Sequence, residues 1–158
     1  MTRLALVFVV LASGITVSSC GDDGSSTGDP PLFPADYAAT YQEVRGCRFS
    51  VEHDSIRVRV LASPDAVTAY NGRTAPFPTG SIILKEEFDE SDTACAGPIV
   101  EVTVMQKLAV GSSPDTLDWT WQKATVERVI ETDIMRCTRC HTSCGKPPEG
   151  YDGTCTVP

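Results

Sequence analysis

Basic residues are scarce in this chain of 158 residues, which has 13 lysines and arginines against 21 aspartates and glutamates and a net charge of −8 at pH 7. A surface this acidic repels a phosphate backbone, so nucleic acid is excluded as a partner. The chain also has no internal repeat and no apolar run long enough for a stable membrane span. These absences leave a small acidic protein whose chemistry must come from a few residues.

The longest apolar run, residues 4–17, follows Arg3 and ends at Val17-Ser18-Ser19-Cys20, which resembles a bacterial lipobox. We expect a signal peptide at residues 1–19 and a lipid on the sulfur of Cys20. The alternative is an ordinary signal peptide that is cut nearby, with Cys20 a spare thiol. Either interpretation places the mature chain outside the cytoplasm. The lipid would anchor it to a membrane of the bacterial cell envelope, facing the periplasm or the outer surface.

Residues 20–31 form the predicted tether, because residues 21–31 contain no apolar side chain that could be buried. Residues 32–158 are then long enough for one domain with one modest core. Removal of Arg3 with the signal peptide leaves twelve basic against 21 acidic residues, a net charge of −9.

Cys137-Thr138-Arg139-Cys140-His141 is the most informative motif of the chain. Cys-x-x-Cys-His is the attachment pattern of c-type haem. Two thiols one helical turn apart can add to the two vinyl groups of haem, and the adjacent histidine can bind the iron. The motif predicts one covalent haem c held by Cys137, Cys140 and His141, with His141 as the iron ligand.

Two other interpretations compete with haem. Cys137, Cys140, His141 and Cys144 could be the four ligands of a structural zinc. Alternatively, the first two cysteines could form a simple disulfide or a thioredoxin-like redox pair. Thiolate ligands tend to oxidise outside the cytoplasm, which favours haem.

Four cysteines remain once Cys20 and the two haem thiols are set aside, and an oxidising compartment favours two disulfides among them. Cys144 with Cys155 would fasten the tail behind the haem motif, and Cys47 with Cys95 would join distant strands. Three pairings are possible, and the sequence does not choose among them.

Apolar periodicity and turn residues predict an α+β fold, with helices flanking an antiparallel sheet. The expected helices cover residues 35–45, 63–70 and 131–144, and the expected strands cover a run within 47–61 and residues 81–88, 98–110 and 119–130. The last helix carries the haem motif.

Strand alternation separates aliphatic from polar residues. Val58 and Val60 alternate with Arg57 and Arg59, and Leu84 alternates with Lys85. We expect one packed aliphatic face and a second face that carries Arg57, Arg59, Lys85 and Glu101 among Ile83 and Met105. The second face could also be no more than the solvated side of a sheet.

Several segments in a fixed order resemble the cytochrome P-460 family. They are Phe77-Pro78-Thr79-Gly80-Ser81-Ile82-Ile83-Leu84-Lys85-Glu86, Asp118-Trp119 and the C-terminal Cys-x-x-Cys-His. The resemblance extends from about residue 37 to 144. It implies a small α+β fold, often dimeric, with five-coordinate haem c against one face of an antiparallel sheet.

The resemblance also implies chemistry. The best-known members oxidise hydroxylamine and carry a lysine that is cross-linked to the porphyrin, and Lys85 stands at that position. A distal arginine and glutamate also occur in the family, and the candidates here are Arg57, or Arg59 two residues on, and Glu101. Relatives called cytochrome c-prime-beta keep the fold without the cross-link and bind nitric oxide or carbon monoxide.

The sixth iron position is expected to be open. His53, the only other histidine, is predicted to be an exposed strand residue, and Met105 is predicted to be core. With this position open, the resemblance implies oxidation of hydroxylamine or a related small nitrogen compound, with Glu101 accepting protons and a redox partner protein accepting electrons. The alternatives are gas binding without turnover and simple electron transfer, which needs a six-coordinate iron.

Overall fold

The computed structural model describes residues 30–131 and 135–155, which form one antiparallel sheet with flanking helices. The sheet has six strands in the order β1-β2-β3-β4-β5-β6, so each strand pairs with the next one along the chain. The strands are β1 (Gln42–Ser50), β2 (Ile56–Ala62), β3 (Ile82–Phe88), β4 (Glu101–Lys107), β5 (Trp119–Ala124) and β6 (Ile130–Glu131). The predicted α+β class is confirmed.

Three short helices accompany the sheet: α1 (Tyr37–Thr40), α2 (Val67–Gly72) and α3 (Met135–Cys144). A 3-10 turn covers Pro114–Thr116. None of the helices in the described residues has the length and apolar character needed to cross a membrane. The predicted signal peptide and Cys20 lie outside the described residues.

The predicted helix over residues 35–45 is wrong in most of its length. Only Tyr37–Thr40 is helical, and β1 begins at Gln42 and continues through Gly46. Pairing with β2 overrides the helical spacing of the apolar residues, and the register between the two strands shifts on both sides of Arg45. The structure therefore contains a strand that the apolar periodicity did not predict.

The predicted strand over residues 119–130 is divided. β5 ends at Ala124, and a turn closed by the bond from the Arg128 amide to the Thr125 carbonyl (2.9 Å) leads into β6. Arg128 has a φ of 66°, which breaks the extended conformation. Strands β2 and β3 lie where they were predicted, and β4 is shorter than the predicted segment 98–110.

The sheet has two different faces. One face is aliphatic and is covered by the N-terminal segment through Phe33 and Tyr37. Its buried strand residues are Leu61, Ile82, Leu84, Val102, Val104 and Ala124. The opposite face, called here the α3 face, carries Val60, Ile83, Met105 and Trp121, and Cys137 of α3 packs against it.

Both pairings named for the four remaining cysteines are present. Cys47 of β1 is bonded to Cys95 of the loop after β3, with a Cα–Cα distance of 5.5 Å. Cys144, the last residue of α3, is bonded to Cys155, with a Cα–Cα distance of 5.0 Å. The first bridge connects the edge strand to a loop, and the second fastens the tail to the motif helix.

Candidate functional site

Helix α3 carries the Cys-x-x-Cys-His motif and packs Cys137 against the sheet, while Cys140 is exposed. Cys137 and Cys140 are three residues apart, so their side chains lie on neighbouring turns of one helix surface. Of the six cysteines in the described part of the chain, these two alone are free thiols. The motif thus keeps two thiols available while the other four cysteines are oxidised.

The imidazole of His141 is oriented by the tail. Its Nδ1 atom lies 2.6 Å from the carbonyl oxygen of Gly153. A carbonyl can only accept, so Nδ1 carries the proton and Nε2 keeps its lone pair. Removal from water, followed by the charge of Lys85, lowers the pKa of His141 to about 4. The ring is therefore neutral at neutral pH, which is the form that ligates metals.

The loop that carries Gly153 is fixed to the sheet by Asp152. One carboxylate oxygen of Asp152 lies 2.6 Å from Nζ of buried Lys107, and the other accepts a bond from the Phe77 amide at 2.9 Å. The carbonyl of Asp152 accepts the indole N–H of Trp119 at 2.7 Å. A side chain on Gly153 would overlap that indole, so only glycine allows this close approach.

The part of the α3 face beneath His141 is apolar. The ring of Trp121 lies 6.1 Å from that of His141, centroid to centroid. Trp121 is paired across β4 and β5 with Met105, which is 4% exposed and is paired in turn with Ile83. This floor offers apolar contact to a flat cofactor held by the motif.

Lys85 lies on the same face, between the apolar floor and a group of polar residues. Its Nζ is 2.5 Å from Nε2 of His53, and Nδ1 of His53 is 2.8 Å from the hydroxyl of Ser50. Removal from water lowers the pKa of Lys85 to about 8, and Glu87 opposes that shift. Charge on Cys137 and Cys140 also affects Lys85, which places the lysine near the motif thiols.

The prediction that His53 is an exposed strand residue is wrong. His53 lies in the turn between β1 and β2, is partly buried, and is bonded on both ring nitrogens. Burial and the neighbouring positive charge of Lys85 lower its pKa to about 3, so the ring is neutral. The alternating pattern of β2 does not extend to this turn, so alternation could not predict the contact between His53 and Lys85.

Glu101 lies on the α3 face, as predicted, and forms an ion pair with Lys123 at 2.7 Å. Its direct cross-strand partner is Glu87, which sequence reasoning missed. Glu87 is 6% exposed and accepts a hydrogen bond of 3.0 Å from Thr103. Burial is the largest cause that raises the pKa of Glu87 to about 7. The hydrogen bond from Thr103 lowers this pKa, and the charge of Glu101 raises it. Glu87 stands two residues after Lys85 in the same strand, so strand alternation could have predicted that both lie on the same face.

The prediction that Arg57 and Arg59 share a face with Lys85 and Glu101 is wrong. Directly paired residues of antiparallel strands share a face, and Lys85 pairs with Val60. Both arginines therefore lie on the aliphatic face. Arg57 donates to the Glu90 carbonyl at 3.1 Å and stacks on Phe49, while Arg59 forms an ion pair with Glu86.

The register places Arg48 on the α3 face, because it pairs with Val58 as Glu87 does. Its Nη1 atom is buried without a hydrogen-bond partner among the described residues, and so is the hydroxyl of Tyr70 on α2. Helix α2 packs against β1, and the two side chains are close enough for Tyr70 to affect the pKa of Arg48. The site thus contains two buried hydrogen-bond donors that have no acceptor among the described residues.

A comparison with known families gives one match. The family model described as Cytochrome P460 matches residues 36–147, which include all six strands and the whole motif helix. No curated protein matches the chain. Proteins of this family bind haem. The chain belongs to the cytochrome P460 family.

Proposed function

We propose that this protein is a monohaem c-type cytochrome that oxidises hydroxylamine or a related small nitrogen compound. Cys137 and Cys140 would bind the haem covalently, and Nε2 of His141 would bind its iron. The observation that carries the proposal is the state of the motif: two free thiols stand beside a neutral imidazole whose Nδ1 already donates to Gly153.

The surrounding residues fit a haem better than the two alternatives. Cys144 is bonded to Cys155, so it is not a thiolate that could complete a zinc site. Burial raises the pKa of Cys137, whereas a redox-active thiol needs a lowered one. The buried donors of Arg48 and Tyr70 would be satisfied by an anionic group such as a haem propionate.

When bound, the haem would supply an iron with an open coordination position and would accept electrons from the substrate. Two side chains that could close that position, Met105 and His53, are already engaged. Met105 is packed in the core, and both ring nitrogens of His53 are bonded to Ser50 and Lys85. This arrangement supports a small-molecule site over simple electron transfer.

Lys85 and Glu101 would supply the protein's part of the chemistry. The pKa of Lys85, lowered to about 8, increases the fraction of neutral amine, which is the form needed for a bond to the porphyrin edge. Glu101 would accept protons that the substrate loses, and Lys123 keeps its carboxylate in place. Arg57 has no part in this proposal because it lies on the other face.

The proposal also includes where the protein lies in the cell and which partners it has. Cys20 would carry a lipid that anchors the domain in the cell envelope, and residues 20–31 would serve as its tether. A redox partner protein would remove the electrons. The chain could act as a homodimer.

A non-catalytic role in binding nitric oxide or carbon monoxide is the second candidate. The apolar floor of Ile83, Met105 and Trp121 favours it, because small neutral gases need no polar contact. The two functions differ in turnover. Purified holoprotein should reduce an artificial electron acceptor when hydroxylamine is added. Tight binding of nitric oxide with no hydroxylamine-dependent reduction would instead support the gas-binding role.

A further inference from the structure

Two carboxyl groups stand side by side on the α3 face. Glu87 of β3 is directly opposite Glu101 of β4. Directly opposed residues of an antiparallel pair have their Cβ atoms about 5 Å apart, and two like charges at such positions destabilise the sheet. The pair is therefore more stable when one of the two carboxyl groups holds a proton.

The surroundings show which of the two groups that is. Glu101 lies 2.7 Å from the ammonium of Lys123. Glu87 is buried, receives one hydrogen bond from Thr103, and forms no ion pair with any cation in the described residues. A buried carboxylate without a paired cation is costly, so the proton belongs on Glu87. The raised pKa of Glu87 agrees with this geometry.

The other charged or titratable groups around Glu87 come from five elements. Lys85 of β3 and Lys123 of β5 lower its pKa, while Glu101 of β4 raises it. Arg48 of β1 and Cys137 of α3 face the same region of the sheet. Burial raises the pKa of Glu87 by more than the two lysines lower it.

We propose that Glu87 is the proton store of this site: at rest it holds one proton as the carboxylic acid, it releases that proton to water, and its carboxylate then takes up a proton that the substrate loses on oxidation. No electrons pass through it, since the acid loses one proton and the carboxylate later gains one. The use of that proton in oxidation rests on the proposed function, but the storage itself does not.

Infrared spectroscopy of the resting holoprotein tests the storage directly. A carbonyl stretching band of a protonated carboxylic acid should decrease as the pH rises through about 7. The band should be absent from Glu87→Gln and retained in the matched variant Glu101→Gln. Haem propionates would contribute their own bands, so the readout is the difference between each variant and the wild type.

Thr103→Val keeps Glu87 and serves as a second test if Glu87→Gln does not fold. The Thr103 bond favours the charged form, so its loss should move the band's decrease to higher pH. A band that persists in Glu87→Gln, or that does not move in Thr103→Val, overturns the proposal.

Turnover separates this proposal from the proposed function. If the infrared result is as expected but hydroxylamine is not oxidised, the proposed function fails and the proton store stands. If hydroxylamine is oxidised and Glu87→Gln leaves the pH profile of turnover unchanged, the catalytic use of the store is refuted.

Discussion

The Nδ1 atom of His141 lies 2.6 Å from the carbonyl oxygen of Gly153, and this bond connects the motif helix to the C-terminal tail. The tail is fixed in turn by the Cys144–Cys155 bridge and by the contacts of Asp152 with Lys107, Phe77 and Trp119. The proposed iron ligand is thus oriented by the sheet through a loop that follows it in sequence. Outer contacts of this kind set the orientation and basicity of a ligating histidine.

Asp152→Asn should weaken both the fold and the orientation of His141. The substitution leaves the buried ammonium of Lys107 without its counter-charge, which we expect to cost on the order of 3 kcal/mol of unfolding free energy. The iron–histidine vibration in the resonance Raman spectrum should also shift. Asp115→Asn, an exposed acid of the 3-10 turn, is the control. An unchanged vibration and melting temperature in Asp152→Asn would contradict this role.

The two disulfides should have separate effects. Replacing Cys144 and Cys155 by serine should lower the unfolding free energy by roughly 2–4 kcal/mol and should alter the iron–histidine vibration. The matched pair Cys47→Ser with Cys95→Ser should lower stability by a similar amount but leave the vibration alone, because that bridge lies on the edge strand. Non-reducing peptide mapping checks the pairings, and recovery of any of the four as an alkylated free thiol would refute them.

Lys85→Ala should remove a cross-link to the haem. Its position among His53, Cys137 and Cys140 leads us to expect a bond from Nζ to the porphyrin and a red-shifted ferrous Soret band. The variant should keep its covalent haem, show the spectrum of ordinary high-spin haem c, and lose hydroxylamine turnover. Lys146→Ala, at an exposed lysine outside the sheet, is the control. A wild-type haem peptide without the Lys85 peptide attached would show that the cross-link is absent.

Glu87 should make the stability depend on pH. Its pKa is raised from 4.5 to about 7, so between these values the folded state holds a proton that the unfolded state has released. The unfolding free energy should therefore fall as the pH rises through this window, by no more than about 3 kcal/mol. Because glutamine mimics the protonated acid, denaturant titrations should show the wild type losing stability relative to Glu87→Gln as the pH rises from about 4.5 to about 7. Parallel curves at every pH would contradict the assignment.

The local features of the site could be predicted from the sequence. The motif, the helix that carries it and strands β2 and β3 are set by spacing and alternation within one segment. The position of Lys85 on the α3 face and the two disulfides followed from the same reasoning, although the pairing had to stay open.

The relationships between segments could not be predicted in the same way. Alternation shows which residues of one strand share a face, but not which face of the next strand lies beside them. This is why Arg57 was placed with Lys85, although Val60 is the residue that pairs with it. Arg48 was missed because the alternating run within residues 47–61 begins only at Ile56, so no residue of β1 was assigned to a face. His53 was missed because a turn, not a strand, brings it to Lys85.

The mass of the purified holoprotein tests the central claim most directly. Protein exported from a host with a cytochrome c maturation system should carry one haem per chain, on a peptide that contains both Cys137 and Cys140. Cys137→Ala combined with Cys140→Ala should abolish the adduct. A wild-type chain of unmodified mass, with both thiols open to alkylation or with zinc bound, would contradict the account.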